Sequence, residues 1–152
     1  MDAWSRILVL SIGGALGVNA RYWSGVLASR WVGPWFPWAT VLINVSGSFA
    51  IGFGAVVLAA RWPHPLIRLA LVVGFLGGYT TFSAFTFESL ALWERGDRGL
   101  AAANTAGSVA AGLAAVALGV ALGRTLVGPA GGPVEDARPV AGRPAGEGSG
   151  GE

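Results

Sequence analysis

Cysteine and lysine are both missing from this chain of 152 residues, and histidine occurs once. Without thiols there are no disulfides, no thiol nucleophile and no Cys-based metal centre. His64 stands between Pro63 and Pro65 in a break between apolar runs, where a solvated ring is expected rather than a ligand or a base. Charge is also scarce. It occupies 12% of positions, about half the share of an ordinary soluble domain. Ten basic and eight acidic side chains cannot cover the exterior of a soluble fold of this size, which excludes a cytosolic globular enzyme. A Gly-rich phosphate loop, a catalytic His or Cys, and paired acids within one apolar run are all lacking, so no enzyme is expected.

What is present is apolar. Hydrophobic residues make up 53% of the chain, glycine adds 25 residues, and the mean hydropathy is +0.61. This composition belongs to an integral membrane protein. A span needs ~20 apolar residues to cross ~30 Å of hydrocarbon. Uncharged runs cover 38–60, 69–87 and 100–123. A shorter run, 7–20, stops at Arg21 and resumes from Tyr22 to Ser29. Four helices follow, with Arg21 inside or near the end of the first. A removable signal peptide is the competing reading of the N-terminus, but Gly13, Gly14, Gly17 and Asn19 interrupt its apolar region and no clear cleavage site follows. Residues 1–124 form the membrane domain. Residues 125–152, rich in Gly, Pro and Ala, are expected to be disordered.

The net charge of +2 and pI near 9.9 do not imply nucleic acid. Every basic residue is an arginine, and they are scattered singly, as helix-end anchors are. In an up-and-down arrangement Trp4 and Trp62 fall on one side, and Trp31, Trp35, Trp38 and Trp93 on the other. Arg6, Arg61, Arg68 and Arg124 oppose Arg30, Arg95 and Arg98, which is almost no orientation bias. Arg138 and Arg143 in the tail add charge to one side. A chain so balanced can insert both ways and pair with an inverted copy. Small residues at four-residue spacing (Gly13 and Gly17, Ser48 and Gly52, Gly74 and Gly78, Ser108 and Gly112, Gly119 and Gly123) point to close packing on more than one face, hence to a homodimer.

Three polar constellations lie within the spans. Thr40, Asn44 and Ser48 share one face of the second helix. They either bond to a neighbouring helix or line a narrow route. Gly77-Gly78-Tyr79-Thr80-Thr81 makes a poor helix interior. It is either a close-packed crossing or a break whose freed carbonyls suit a hard cation. Phe82 and Phe85 are either apolar filler or rings whose positive edges meet an anion, with Ser83 and Thr86 beside them. Glu88 is the one carboxylate placed in or near the membrane.

With those residues in hand, the chain resembles the Fluc, or CrcB, family of fluoride channels. The first helix carries Gly13-Gly14-Ala15-Leu16-Gly17 leading to Arg21-Tyr22. The second carries Asn44-Val45-Ser46-Gly47-Ser48-Phe49 with Gly52. The third carries Gly74-Phe75-Leu76-Gly77-Gly78-Tyr79-Thr80-Thr81-Phe82-Ser83-Ala84-Phe85. The resemblance runs from residue 5 to about 124. It implies an all-α membrane protein of four spans with a broken third helix, assembled as an antiparallel, dual-topology homodimer. Its implied function is passive export of fluoride across the bacterial plasma (inner) membrane, which lowers cytoplasmic fluoride toxicity. By motif position Asn44 would be the pore amide, and Phe82 and Phe85 the aromatic rings. Thr40, Ser83 and Ser108 would supply hydroxyls, Arg21 would organise a vestibule, and Glu88 would lie near the path. Carbonyls of Gly77 and Thr80 from both copies would hold a structural Na⁺. The chain departs from the family pattern at Ala84, where Thr is common, and at Asn104 and Thr105, where a Tyr is common. A small multidrug exchanger of similar length is the rival, but it needs a carboxylate deep in the first helix, which has no acid after Asp2. A non-transporting membrane subunit is the third possibility, and it leaves the intramembrane polar residues without a purpose.

Overall fold

The computed structural model describes residues 2–128. Most of the Gly/Pro-rich tail, with Arg138 and Arg143, lies outside the described residues. Four helical spans are long and apolar enough to cross a bilayer: Ala3–Ser29, Trp38–Arg61, Pro65–Glu94 and Arg98–Val127. The first, α1, has 27 residues. At ~1.5 Å per residue it reaches roughly 40 Å, enough for the hydrocarbon layer with a tilt. Arg21 therefore sits inside it rather than at its end.

The boundaries follow local chemistry. Pro37 precedes α2 (Trp38–Arg61) and Pro65 opens α3 (Pro65–Arg68) at the position where a missing N–H costs nothing. His64 is exposed and caps α3, its Nδ1 accepting the Leu66 N–H at 3.3 Å. The third span continues through a π-helical stretch, Leu69–Leu76, then α4 (Gly77–Tyr79) and α5 (Phe82–Glu94). Gly96 turns the chain with φ 87°, a left-handed value that favours glycine. The fourth span, α6 (Arg98–Val127), runs three residues past the membrane-domain boundary expected at 124 and ends at Gly128, φ 76°. Leu126 and Val127 carry apolar side chains past Arg124, so the composition shift falls after them.

Glycine faces decide the packing. Ser48 faces Gly112, Gly52 faces the Val116 carbonyl, and Gly123 meets Val56. Positions on both helices increase together, so α2 and α6 run parallel. Likewise Gly13 meets Ala70 and Gly74, and Gly17 meets Phe75 and Tyr79, so α1 runs parallel to the third span. The small-residue faces expected to serve a second copy are thus consumed inside one chain. They hold these helices together and carry no argument for a dimer. Ile43, Val56, Leu58, Leu76, Phe85 and Leu92 are buried among the helices, while most other large apolar side chains face outward, as lipid allows.

A Cβ on Gly17 would lie 2.1 Å from the Phe75 carbonyl oxygen, and backbone cannot step aside as a side chain can. Gly17→Ala should destabilise the fold by about 1–3 kcal/mol or more, the usual cost of overpacking. Gly107, mid-helix with nothing within 4 Å of its would-be Cβ, makes the contrast. Gly107→Ala should stabilise by up to ~1 kcal/mol. Thermal unfolding of the two detergent-solubilised variants should bracket the parent chain.

Candidate functional site

Two residues at mid-depth of the third span leave the helical path. Thr80 (φ −79°, ψ 157°) and Thr81 (φ −147°, ψ 114°) are extended between α4 and α5. The Thr80 N–H keeps its helical bond to the Leu76 carbonyl at 3.0 Å, but the Thr81 N–H and carbonyl need partners from outside the helix where lipid offers none. Asn44, reaching across from α2, supplies them. Its Nδ2 donates to the Thr81 carbonyl at 2.9 Å, and the Thr81 N–H donates to its Oδ1 at 2.8 Å. The Thr81 hydroxyl accepts the Ala84 N–H at 3.2 Å and so caps α5. From α1, Arg21 donates through Nη1 to the Thr80 carbonyl at 3.2 Å. The Tyr79 hydroxyl meets Ser46 Oγ at 3.1 Å on the other side. Three spans thus converge on two threonines.

Three clefts surround this crossing. One of about 260 Å³ has Asn44, Ser48, Thr80, Thr81 and Phe82 among its walls. A second, about 770 Å³, has Arg21, Thr40, Thr81, Ser83 and Glu88. A third, about 500 Å³, lies at the loop end with Trp35, Trp38, Glu88 and Arg95. Thr81 is common to the first two and Glu88 to the last two, so a file of polar side chains leads from mid-span to the loop. Thr40 Oγ1 donates to Glu88 Oε1 at 2.8 Å, and Glu88 Oε2 is buried with no partner among the described residues. The Thr40–Asn44–Ser48 stripe bonds to a neighbouring span and borders clefts. Thr40 and Asn44 bond to the third span, and all three line clefts.

Phe82 is 75% exposed and Phe85 only 8%. Their ring centroids lie 5.5 Å apart at 46°, so Phe85 forms the floor on which Phe82 leans. Ser83 and Thr86 are exposed beside them. Ser108 lines none of the three clefts. It belongs to a hydrogen-bonded set with Asn104 and Ser89 between α5 and α6. Reading the sequence missed Thr81 as the residue everything holds, although a threonine three residues ahead of Ala84 is an ordinary N-cap signal. It also missed the Asn104–Ser89 bond. No local signal carries that bond, because the partners lie on different spans.

The Na⁺ expected from the resemblance is tested by the carbonyls at the crossing. In a continuous helix the Thr81 N–H would go to the Gly77 carbonyl. Here it goes to Asn44, and Gly77 is exposed. A carbonyl that has lost its helical donor is a fitting donor for a hard cation. The Thr80 carbonyl gives one lone pair to Arg21 and retains a second. Both carbonyls have a lone pair left for a hard cation, and the Arg21 charge on the Thr80 carbonyl opposes one there.

Four helices long and apolar enough to cross a bilayer define a multi-pass helical membrane protein. Residues 8–120 match the family described as CrcB-like protein, Camphor Resistance (CrcB), and the chain belongs to that family. It is 50% identical over 107 residues to the fluoride-specific ion channel FluC of Nitrobacter winogradskyi, covering 70% of this chain and 85% of that one. With the FluC channel of Solibacter usitatus it shares 48% over 108 residues, covering 70% and 88%. With that of Allorhizobium ampelinum it shares 41% over 121 residues, covering 79% and 97%. The family found from the motifs is the family matched.

Proposed function

We propose that this chain is a fluoride-specific channel that lets fluoride leave the bacterial cytoplasm passively through the plasma (inner) membrane. The observation that carries this reading is the interrupted third span, whose freed groups are held by Asn44 and Arg21 and whose Phe82, Ser83 and Thr81 open onto clefts. Fluoride is small and strongly hydrated, so its water must be replaced by donors. Asn44, the Ser83 hydroxyl and the edges of Phe82 and Phe85 are the replacements, with Arg21 drawing the anion in, whereas the Thr40 and Ser108 hydroxyl hydrogens are spent on Glu88 and Asn104. Glu88 stands at the junction toward the loop. Between the break and the loop-end cleft that Arg95 lines, Arg21 is the one cationic side chain among the cleft walls, and weak, repeated sites let an ion leave as readily as it enters. An inside-negative 100 mV favours exit by ~2.3 kcal/mol, roughly fiftyfold at equilibrium.

Two copies in opposite orientation complete the route in this reading. Phe82, Ser83, Thr86 and Gly77 are exposed at mid-span in the single chain, and polar groups at that depth need protein or water rather than lipid. The balanced arginines allow either orientation. Gly77 and Thr80 carbonyls of the two copies would hold the Na⁺, which when bound supplies fixed positive charge near the anion route.

The test is purified protein reconstituted in fluoride-loaded vesicles, read with a fluoride electrode. Rapid efflux far above protein-free vesicles is expected, with little chloride efflux from matched vesicles. Fluoride release no faster than the protein-free baseline overturns the reading.

A further inference from the structure

Tyr79 is the last helical residue before the break. Its ring stacks on Phe75, with centroids 6.2 Å apart and planes 3° from parallel, and lies close over Gly47, where an added Cβ would come 3.2 Å from the Tyr79 Cδ1. Its hydroxyl meets Ser46 Oγ at 3.1 Å. The direction of that bond is fixed. Ser46 has one hydroxyl hydrogen and gives it to the Ile43 carbonyl at 3.1 Å, which only accepts. Tyr79 therefore donates and Ser46 accepts.

This bond has a counterpart on the far side of the break. Along α2 the partners rise from Thr40 through Asn44 to Ser46, while on the third span they fall from Glu88 through Thr81 to Tyr79. The two segments run antiparallel, and α2 grips the residue before Thr80 as well as the residue after it. The grip after it is the Asn44 amide, whose Oδ1 and one Nδ2 hydrogen are both spent on Thr81. The second Nδ2 hydrogen has no acceptor among the described residues, and Asn44 lines the cleft of about 260 Å³. An amide tied to one residue rocks with that residue, and a second tie two residues away stops the rocking. Tyr79 and Ser46 line none of the three clefts, so their bond meets no ion. We infer that Tyr79 is a positioning residue for anion binding: through Ser46 it holds the broken span in register on α2, which keeps the free Asn44 hydrogen turned to the cleft. This rests on the channel reading above.

The experiment reads efflux rate against internal fluoride concentration in reconstituted vesicles, at matched amounts of folded protein. Tyr79→Phe removes the hydroxyl and keeps the ring with its stacking. Losing one neutral hydrogen bond should leave the binding-competent register roughly fivefold less populated, and half-saturating fluoride should rise by about that factor. Ser46→Ala removes the acceptor and should give the same rise, and it serves if Tyr79→Phe fails to assemble. The double variant Ser46→Ala/Tyr79→Phe should be no worse than either single one, because the same bond is lost only once. Ser46→Thr keeps the acceptor and should match the parent. A purely structural contribution would lower the yield of folded protein and leave half-saturation where it was. Half-saturation unchanged in either single variant that assembles, or single effects that multiply in the double variant, overturns the inference. Wild-type vesicles that release no fluoride would instead overturn the channel reading itself.

Discussion

Asn44→Asp should reduce fluoride efflux by about a thousandfold, to the protein-free baseline, while the protein still inserts. The substitution changes one NH₂ to an oxygen and adds a negative charge. The Thr81 N–H can still be accepted, but the Thr81 carbonyl, now 2.9 Å from Nδ2, would face a carboxylate oxygen with no hydrogen between them. Losing that donor costs about 1–3 kcal/mol at a partly buried site. The charge adds a second effect. At ~4 Å from a passing anion and an effective dielectric of 20, repulsion is about 4 kcal/mol, and each 1.4 kcal/mol is tenfold. Asn44→Ala separates the two. It removes the clamp without adding charge, so it should lose some folded yield and keep more flux than the aspartate. Efflux from Asn44→Asp equal to that of the parent, at matched protein density, would place the route elsewhere.

The reach of the sequence was uneven, for physical reasons. Composition and run length gave four spans, because lipid demands long apolar segments whatever they pack against. Gly77-Gly78-Tyr79-Thr80-Thr81 announced trouble in a helix, because two glycines and two β-branched residues disfavour one without any tertiary context. The partner that repairs it was less visible. Asn44 could be seen as polar and placed on a face, but the distance from Thr81, 37 positions away, depends on how two spans cross. Glycine spacing misled for the same reason. Gly13, Gly17, Gly52 and Gly119 mark close approach, but a sequence does not say whether the approaching backbone belongs to the same chain. Here it does. The fourth span was least legible: Ala-rich and nearly uniform, it gives little sign of which face is inside, and Asn104 gains its meaning only from Ser89 across the helix pair.

Phe82 poses that problem in its sharpest form, since a ring 75% exposed in one chain is equally at home against lipid or across a route from a second copy. Phe82→Ile divides the cases. Isoleucine keeps the side chain large and apolar, so a lipid-facing position should tolerate it within about ±0.5 kcal/mol, as surface substitutions usually are. What isoleucine lacks is the positive edge of the ring quadrupole. By analogy with a cation on a ring face, a desolvated ion at a ring is worth about 2 kcal/mol or more, close to thirtyfold in rate for each ring. Phe82→Ile should therefore cut fluoride efflux by at least about thirtyfold without loss of folded protein, and the double variant with Phe85→Ile by about a thousandfold. Phe85 is buried, so its change also loosens the packing under Phe82, and the exposed single variant is the cleaner measurement. Leu113, 65% exposed on α6 and outside all three clefts, is the control: Leu113→Ala should conduct like the parent. If Phe82→Ile does the same, the ring is filler, and the anion passes without touching it.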